Sequence, residues 1–240
     1  MIAPTGRAEF VAAMEDVLAV DARPPDPARP LGCLDEGPKP FGPELMAEGQ
    51  LTREVRGPQA AAPGRPARED CEDERNGVAA IFCAVAPHLG WRQLEERERK
   101  TRRDYAAFLR ALAEEHFPDA ARIVPVQDNL NTHSPAALSE AFASAEAARI
   151  RARFGFHCTP KHGSPSASSG PQGWLNIAEI ALSALACGCL ARRTPDRPAL
   201  AHQLRTGQRH RNQAATRIRW QFTTADARTK LIKLYPSLHE

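Results

Sequence analysis

Two acidic residues of this 240-residue chain stand at the ends of short apolar runs. Asp35 closes the run LGCLDE at residues 31–36, and Asp128 follows the run ARIVPVQ at residues 121–127. Short apolar runs bounded by proline, glycine or polar residues are typical of buried strands. Because sites in open α/β sheets form beyond the carboxyl ends of the strands, we expect these two carboxylates to converge.

A third acidic residue, Glu179, interrupts an otherwise apolar segment from Trp174 to Leu190. The segment has helical spacing and is apolar nearly all round, which predicts a buried helix. Asn176 precedes Glu179 by three residues and Ser183 follows it by four, so in a helix the three would form one polar face. A carboxylate on such a face needs a partner in the interior.

A divalent cation held jointly by Asp35, Asp128 and Glu179 would offset the cost of burying these charges. Carboxylate oxygens are hard ligands that suit Mg²⁺ or Mn²⁺. Two such ions about 4 Å apart activate a water or a 3′-hydroxyl and stabilise the leaving oxygen during in-line attack on phosphate. The chemistry that this pattern predicts is cleavage or transfer of a phosphodiester.

Simpler interpretations of the same residues stay open on pattern alone. An Asp at a strand end is commonly a turn or cap residue, and a Glu in an apolar helix is commonly paired with an Arg. Four polar residues near the acidic ones are candidates for supporting roles: Asn129, His133, His162 and Asn176. The two histidines are candidates for phosphate or metal contacts, with surface or capping roles as the alternative.

The elements that must position these side chains alternate along the sequence. Periodicity and turn signals predict strands over residues 31–36, 77–87, 91–100, 121–127 and 155–160. They predict helices over residues 8–20, from Thr101, from Ser134, and over residues 174–190, 196–213 and 224–235. The economical arrangement of these elements is an α/β fold, a mixed sheet with helices on both faces.

Capping signals mark two of the helix starts. Thr101 with Asp104 forms a capping-box pattern, and Ser134 with Pro135 fits the N-cap and first helical positions. The side chains expected to face the core from these helices are Tyr105, Phe108, Leu109, Leu112, Leu138 and Phe142. Prolines between residues 24 and 30 exclude a helix or central strand there, and the composition of residues 37–76 predicts a long loop or insertion.

Charge is distributed unevenly along a chain whose formal net charge is only +3. Residues 1–76 carry 15 acidic and 9 basic side chains, whereas residues 191–240 carry 11 basic and 3 acidic ones. A basic end suits a protein that presents one face to phosphate, and it equally suits an arginine-rich helix surface in water. Charge alone does not decide between these two interpretations.

Other classes of protein are disfavoured by composition. None of the six cysteines forms a C-x-x-C pair, so no zinc-finger spacing is present. No apolar stretch reaches the roughly 18 residues of a membrane span, and no secretory signal stands at the N-terminus. These features predict a soluble cytoplasmic protein with reduced thiols and no membrane partner.

Several strings resemble, in the same order, the signature blocks of one family. The four nearest the acidic residues are CLDE (33–36), DNLNTH (128–133), FHCTPKHGS (156–164) and WLNIAEIALS (174–183). The others are GRPARED (64–70), ERNGVAAIF (74–82), GWRQLEERERKT (90–101) and FTTADARTKLIKLYPS (222–237). This family is the IS-six-thirty group of bacterial insertion-sequence transposases, relatives of the mariner elements, and the resemblance runs from about residue 8 to the end.

The resemblance implies an RNase H-like fold and a DDE triad in which Asp35, Asp128 and Glu179 are the catalytic residues and metal ligands. It implies an endonuclease that uses Mg²⁺, with Mn²⁺ as a substitute, to cleave transposon ends and transfer them into a short DNA target, usually TA. DNA is then the expected partner, together with a second copy in a homodimer or a full-length relative in a mixed dimer. The expected location is the bacterial cytoplasm, at the nucleoid.

Three parts of the chain are expected on this basis. Residues 1–30 form a helix and proline-rich lead-in, and residues 31–190 form the RNase H-like catalytic domain. Residues 191–240 form basic helices packed on that same domain.

The sequence departs from the family pattern at four places. The catalytic block begins almost at Met1, which suggests a truncated copy, or the second frame of a split element, without helix-turn-helix segments. Residues 165–173 look like an insert, Pro125 stands in a strand expected to be central, and Ala181 replaces a second Glu. Two alternatives to an active enzyme follow. One is an inactive transposon remnant, and the other is a DNA-binding or inhibitory partner that uses the basic C-terminal helices and poisons a full-length transposase by forming mixed dimers.

Overall fold

The computed structural model describes residues 4–40, 78–129, 132–160, 175–188, 190 and 194–235. The strands are β1 (Leu31–Pro40), β2 (Val78–Ala86), β3 (Trp91–Arg97), β4 (Val124–Gln127) and β5 (His157–Cys158). The helices are α1 (Pro4–Asp21), α2 (Arg102–Ala111), α3 (Ala136–Ala141), α4 (Ser144–Ala152), α5 (Ile177–Cys187), α6 (Arg197–Gln213) and α7 (Thr224–Lys230). A π-helical turn at Leu112–His116 extends α2, and a 3₁₀ turn at Ile232–Leu234 follows α7.

The five strands form one mixed sheet in the order β3-β2-β1-β4-β5. The β2–β3 hairpin is antiparallel, and β2 is also antiparallel to β1. In contrast, β1, β4 and β5 run parallel to one another. The predicted hairpin and the predicted mixed sheet are confirmed.

Helices cover both faces of this sheet, as the sequence predicts. On one face, α2, α3 and α4 pack over alternate strand residues such as Leu34 and Phe82. On the other face, α1, α5 and α6 pack over the residues in between, such as Cys33 and Cys83. Strand alternation therefore sends neighbouring side chains of β1 to two different cores.

The first strand is longer than its apolar run, so the prediction that Asp35 ends it is wrong. Pairing with β4 stops at Leu34, but antiparallel pairing with β2 continues to Pro40, which lies opposite Val78. Residues 37–40, expected to begin a loop, are therefore strand. The rest of the expected loop, from residue 41 to 76, lies outside the described residues.

Pro125 lies inside β4, where it was expected to remove a hydrogen bond of the sheet. The amide of Val124 donates to Pro30 on the β1 side, and that of Ile123 donates to Arg153 on the β5 side. Since amides alternate in direction along a strand, the ring nitrogen of Pro125 faces β5. Regular pairing with β5 begins only at Val126, so the proline coincides with a break in that ladder.

The predicted helix over residues 174–190 is shorter and more exposed than expected. As described, α5 covers Ile177–Cys187, and Asn176 is its N-cap instead of a member of a helical face. Glu179 and Ser183 are exposed, and Ile180 beside them is 40% exposed. The prediction of a helix buried all round is therefore wrong, because only one face of α5 packs on the sheet. Trp174 and the apparent insert at residues 165–173 lie outside the described residues.

Helix starts follow the capping signals in one case and not in the other. Thr101 and Asp104 form both hydrogen bonds of the capping box that starts α2. In α3, however, the N-cap is Pro135 and not Ser134, whose hydroxyl accepts a bond from the amide of Ala136 at 3.3 Å. The predicted C-terminal helices are present as α6 and α7.

Free cysteines in the described part of the chain are buried at Cys33 and Cys83, half-buried at Cys158 and exposed at Cys187. Among the described residues, no helix is long and apolar enough to cross a membrane.

Candidate active site at the β1–β4 edge

The parallel pairing of β1 with β4 places Asp35 beside Asp128. The register pairs Leu34 with Gln127, and each acidic residue is the next one along its strand. Neighbouring strands lie about 4.8 Å apart. Two residues before Asp35, Cys33 lies in the apolar cluster that α5 covers, so alternation along β1 turns the carboxyl group of Asp35 toward that face.

The start of α5 is tied to the strand that carries Asp35. The side-chain oxygen of Asn176 accepts a hydrogen bond from the amide of Ala178 at 3.1 Å and so caps the helix. Its side-chain nitrogen donates to the carbonyl of Leu34 at 2.9 Å. Glu179 is the acidic residue in the first turn of α5. One buried asparagine therefore holds the helix that carries Glu179 against the residue before Asp35.

The electrostatics of Asp35 reflect both acidic neighbours. Burial is the main cause that raises the pKa of Asp35 to about 7, and the charges of Asp128 and Glu179 raise it further. A hydrogen bond of 2.8 Å from the amide of Glu36, and the charge of His133, act in the opposite direction. Asp35 is thus close enough to Asp128 and Glu179 for their charges to act on its carboxyl group.

His133, predicted as a supporting residue, lies between two carboxylates. Its Nδ1 is hydrogen-bonded to Asp128, and its Nε2 lies 2.7 Å from an oxygen of Glu36. Burial alone would lower the pKa of His133, but these two hydrogen bonds outweigh it and raise the pKa to about 9. The imidazole is therefore charged at neutral pH and bridges the two acids.

Sequence reasoning missed Glu36. It stands next to Asp35 in the string CLDE, but strand alternation sends its side chain to the opposite face of the sheet, where it is 2% exposed. A signal was available, since a charged residue one position from a candidate ligand, within a buried strand, needs a partner of its own.

The remaining candidates have varied positions. Asn129 is exposed directly after Asp128. Ala181, which replaces a family glutamate, is buried in the apolar cluster between α5 and the sheet. His162 lies outside the described residues.

The residues fit a divalent cation in their chemistry, although the described residues contain no group of three His, Cys, Asp or Glu side chains already arranged to hold one. The available donors are carboxylate oxygens, the ligands that Mg²⁺ and Mn²⁺ prefer. The raised pKa of Asp35 shows that its charge is disfavoured, first by burial and then by two neighbouring acids, and a bound cation would offset this cost.

Comparison with solved structures supports the fold. The chain is similar to the structure of the Mos1 mariner paired end complex with Mn, at 15% sequence identity and a TM-score of 0.52, over 90% of this chain and 59% of that one. It is also similar to the Mos1 Strand Transfer Complex, at 12% identity and a TM-score of 0.47, over 92% of this chain and 64% of that one. The first match confirms the expected RNase H-like fold.

The chain spans 59% of the length of the Mos1 chain in the first of these structures. No curated protein matches this sequence. A family model described as "DDE superfamily endonuclease" matches residues 48–201. This match includes Asp128 and Glu179 and begins after Asp35. Because it covers more than half of the sequence, the chain belongs to the DDE superfamily endonuclease family.

Proposed function

We propose that the chain is the catalytic region of a transposase of the IS-six-thirty group, which cuts transposon ends and transfers them into a short DNA target, usually TA. The observation that carries this proposal is the parallel register that sets Asp35 beside Asp128, with Glu179 close enough to act on the pKa of Asp35. Membership of the DDE superfamily endonuclease family and the similarity to a mariner paired end complex support it.

In this proposal Asp35, Asp128 and Glu179 hold Mg²⁺, or Mn²⁺ in its place. The bound ion would activate a water or a 3′-hydroxyl and stabilise the leaving oxygen of the phosphodiester. The protein itself holds one acid on β1, the second directly after the adjacent β4 and the third on a capped helix. The exposure of Glu179 leaves its carboxylate accessible at the surface where DNA would approach.

DNA is the proposed partner, and basic residues of the C-terminal segment are proposed to contact its phosphates. Arg205 and Arg209 are exposed on α6, and Arg217 and Arg219 are exposed in the segment after it. Contacts of this kind are electrostatic and weaken steeply as salt increases. A homodimer, or a mixed dimer with a full-length relative, working at the bacterial nucleoid, completes the proposal.

The test is metal-dependent nicking of DNA that carries the cognate terminal repeats. We expect nicking with Mg²⁺ or Mn²⁺, and a fall to the metal-free level in Asp128→Asn. Glu15→Gln is the control, since Glu15 bonds Arg228 at 2.8 Å, away from the site. Equal nicking by the wild type and Asp128→Asn would rule out this catalytic role.

A second candidate is a DNA-binding protein without catalysis, either a remnant or an inhibitor of a full-length relative. It is favoured by the exposed arginines together with the lack, among the described residues, of an assembled metal-binding group. Salt-sensitive DNA binding without nicking at any Mn²⁺ concentration would support it, and copurification with a full-length relative would identify the inhibitor.

A further inference from the structure

Glu36 is a buried carboxylate on the face of the sheet opposite Asp35. Its side chain is 2% exposed, and burial of this degree strongly disfavours an unpaired charge. One carboxylate oxygen lies 2.7 Å from Nε2 of His133. The other has no hydrogen-bond partner among the described residues, and the ammonium group of Lys100 lies 3.6 Å from it. His133 is therefore the main partner of this charge.

The imidazole of His133 is held in one orientation. Its ring packs on Tyr105 with centroids 4.8 Å apart, and its backbone carbonyl accepts a bond from the side chain of Gln127 at 2.5 Å. The hydroxyl of Tyr105 donates to the other atom of the same amide group, the Oε1 of Gln127. Tyr105, Gln127 and His133 are all buried. The bond from Gln127 therefore holds the backbone of His133 in place, and packing on Tyr105 restrains its ring.

The second nitrogen of this fixed ring is bonded to Asp128. Both ring nitrogens of His133 face carboxylates, so one fixed ring links Glu36 to Asp128. Asp128 is 21% exposed and immediately follows the last residue of β4, where the strand no longer fixes its position. The bond to His133 restrains one of its oxygens.

We infer that Glu36 is a positioning residue that, acting through His133, fixes the carboxylate of Asp128 in the orientation in which it binds a divalent cation. This inference rests on the proposed function, because it needs Asp128 to be a metal ligand. Glu36 does not itself bind the ion, since β1 turns it away from Asp35. A residue that contacts a metal ligand without binding the metal orients that ligand, and its loss commonly weakens metal affinity by about 10- to 100-fold.

The test measures Mn²⁺ binding to the full chain by the loss of the free Mn²⁺ signal in electron paramagnetic resonance. Glu36→Gln keeps the shape of the side chain and removes its charge. His133→Asn keeps an amide near the Nδ1 position, which can still bond Asp128, but is too short to reach Glu36. We expect each variant to bind Mn²⁺ roughly tenfold more weakly, while Glu15→Gln binds like the wild type.

The decisive comparison is between His133→Asn and the double variant that combines it with Glu36→Gln. If Glu36 acts only through His133, adding Glu36→Gln to His133→Asn causes no further loss of affinity. A further loss in the double variant would show that Glu36 acts directly and would overturn the inference. Unchanged affinity in either single variant would overturn it as well.

Two further measurements separate this inference from the function it rests on. Asp128→Asn must abolish Mn²⁺ binding; if the wild type shows no binding that this variant removes, the proposed metal site and the inference both fail. If Asp128→Asn does abolish binding and Glu36→Gln has no effect, only the positioning role fails. Thermal unfolding of each variant without metal identifies any that do not fold. If Glu36→Gln does not fold, His133→Asn still tests the link from Glu36 through His133 to Asp128.

Discussion

Asp21, the last residue of α1, has a buried carboxyl group whose two oxygens have no hydrogen-bond partner among the described residues. Burial raises the pKa of Asp21 from its ordinary value of 3.8 to about 7. The folded protein therefore holds this proton more tightly than the unfolded chain does. The free energy of unfolding that this group contributes is greatest below pH 4 and is lost as the pH rises toward 7.

Asp21→Asn should therefore stabilise the protein at high pH and not at low pH. We expect the free energy of unfolding to rise by about 4 kcal/mol at pH 8 and to stay nearly unchanged at pH 4. Urea unfolding at the two pH values measures this difference. Asp16→Asn, which changes a 51%-exposed carboxylate on the same helix, serves as the control. An equal effect of Asp21→Asn at both pH values would contradict the argument.

Single residues also show which parts of the candidate site could be predicted from the sequence and which could not. Asp35 and Asp128 were predicted as site residues because each follows an apolar run, which is a signal within a few residues of the chain. Glu36 was missed because its role depends on His133, 97 residues away, and on the face of β1 that alternation gives it. His133 was predicted as a candidate, but its bonds to Asp128 and Glu36 were not predicted.

At the scale of elements, the N-cap of α5 links helix stability to site geometry. Asn176→Ala removes both the cap on Ala178 and the bond to Leu34, so we expect a loss of about 1–2 kcal/mol in the free energy of unfolding. Because Glu179 is in the first turn of α5, we also expect weaker Mn²⁺ binding.

Thr223→Ala is the matched control for Asn176→Ala. Thr223 caps α7 through a capping box that is exposed and contacts no candidate ligand. Urea unfolding should show a cap-sized loss in both variants, whereas only Asn176→Ala should change Mn²⁺ affinity. If the two variants bind Mn²⁺ equally well, the cap does not position Glu179.

The elements themselves were largely predictable, and their limits were not. The β2–β3 hairpin and the start of α2 follow local signals and were predicted correctly. The extension of β1 to Pro40 depends on pairing with β2, about 40 residues away, which no local pattern reveals. The exposed face of α5 was missed for a related reason: its composition is apolar, and the packing that covers only one side of it is set by the whole fold.

At the scale of the molecule, the first and last described α-helices, α1 and α7, pack together in one apolar cluster. Met14 and Leu18 of α1 are buried in one apolar cluster with Ala227 of α7 and with Leu175, the residue before the cap of α5. The ends of the described chain thus meet beside the helix that carries Glu179. This packing supports a single cooperative unit. It agrees with the expectation that the C-terminal helices pack on the catalytic domain. The division of the chain into three parts stays a prediction.

Met14→Ala tests whether the packing of α1 with α7 is part of one cooperative fold. Met14 is fully buried, and truncating a buried methionine costs about 2–5 kcal/mol through lost burial and the cavity left behind. Ile232→Ala truncates a side chain that is 64% exposed in the same C-terminal region, so we expect a change within about 0.5 kcal/mol. Urea unfolding followed by far-ultraviolet circular dichroism and by tryptophan fluorescence should give coincident single transitions, with the midpoint shifted strongly only in Met14→Ala. Two separate transitions, with only the first shifted, would mean that α1 and α7 form a unit of their own.

The one-unit fold also makes a prediction about Mn²⁺ binding, since Leu175 lies in the same cluster as Met14. Met14→Ala loosens the support of α5 but leaves its N-cap in place. In the folded state it should therefore weaken Mn²⁺ binding less than Asn176→Ala does.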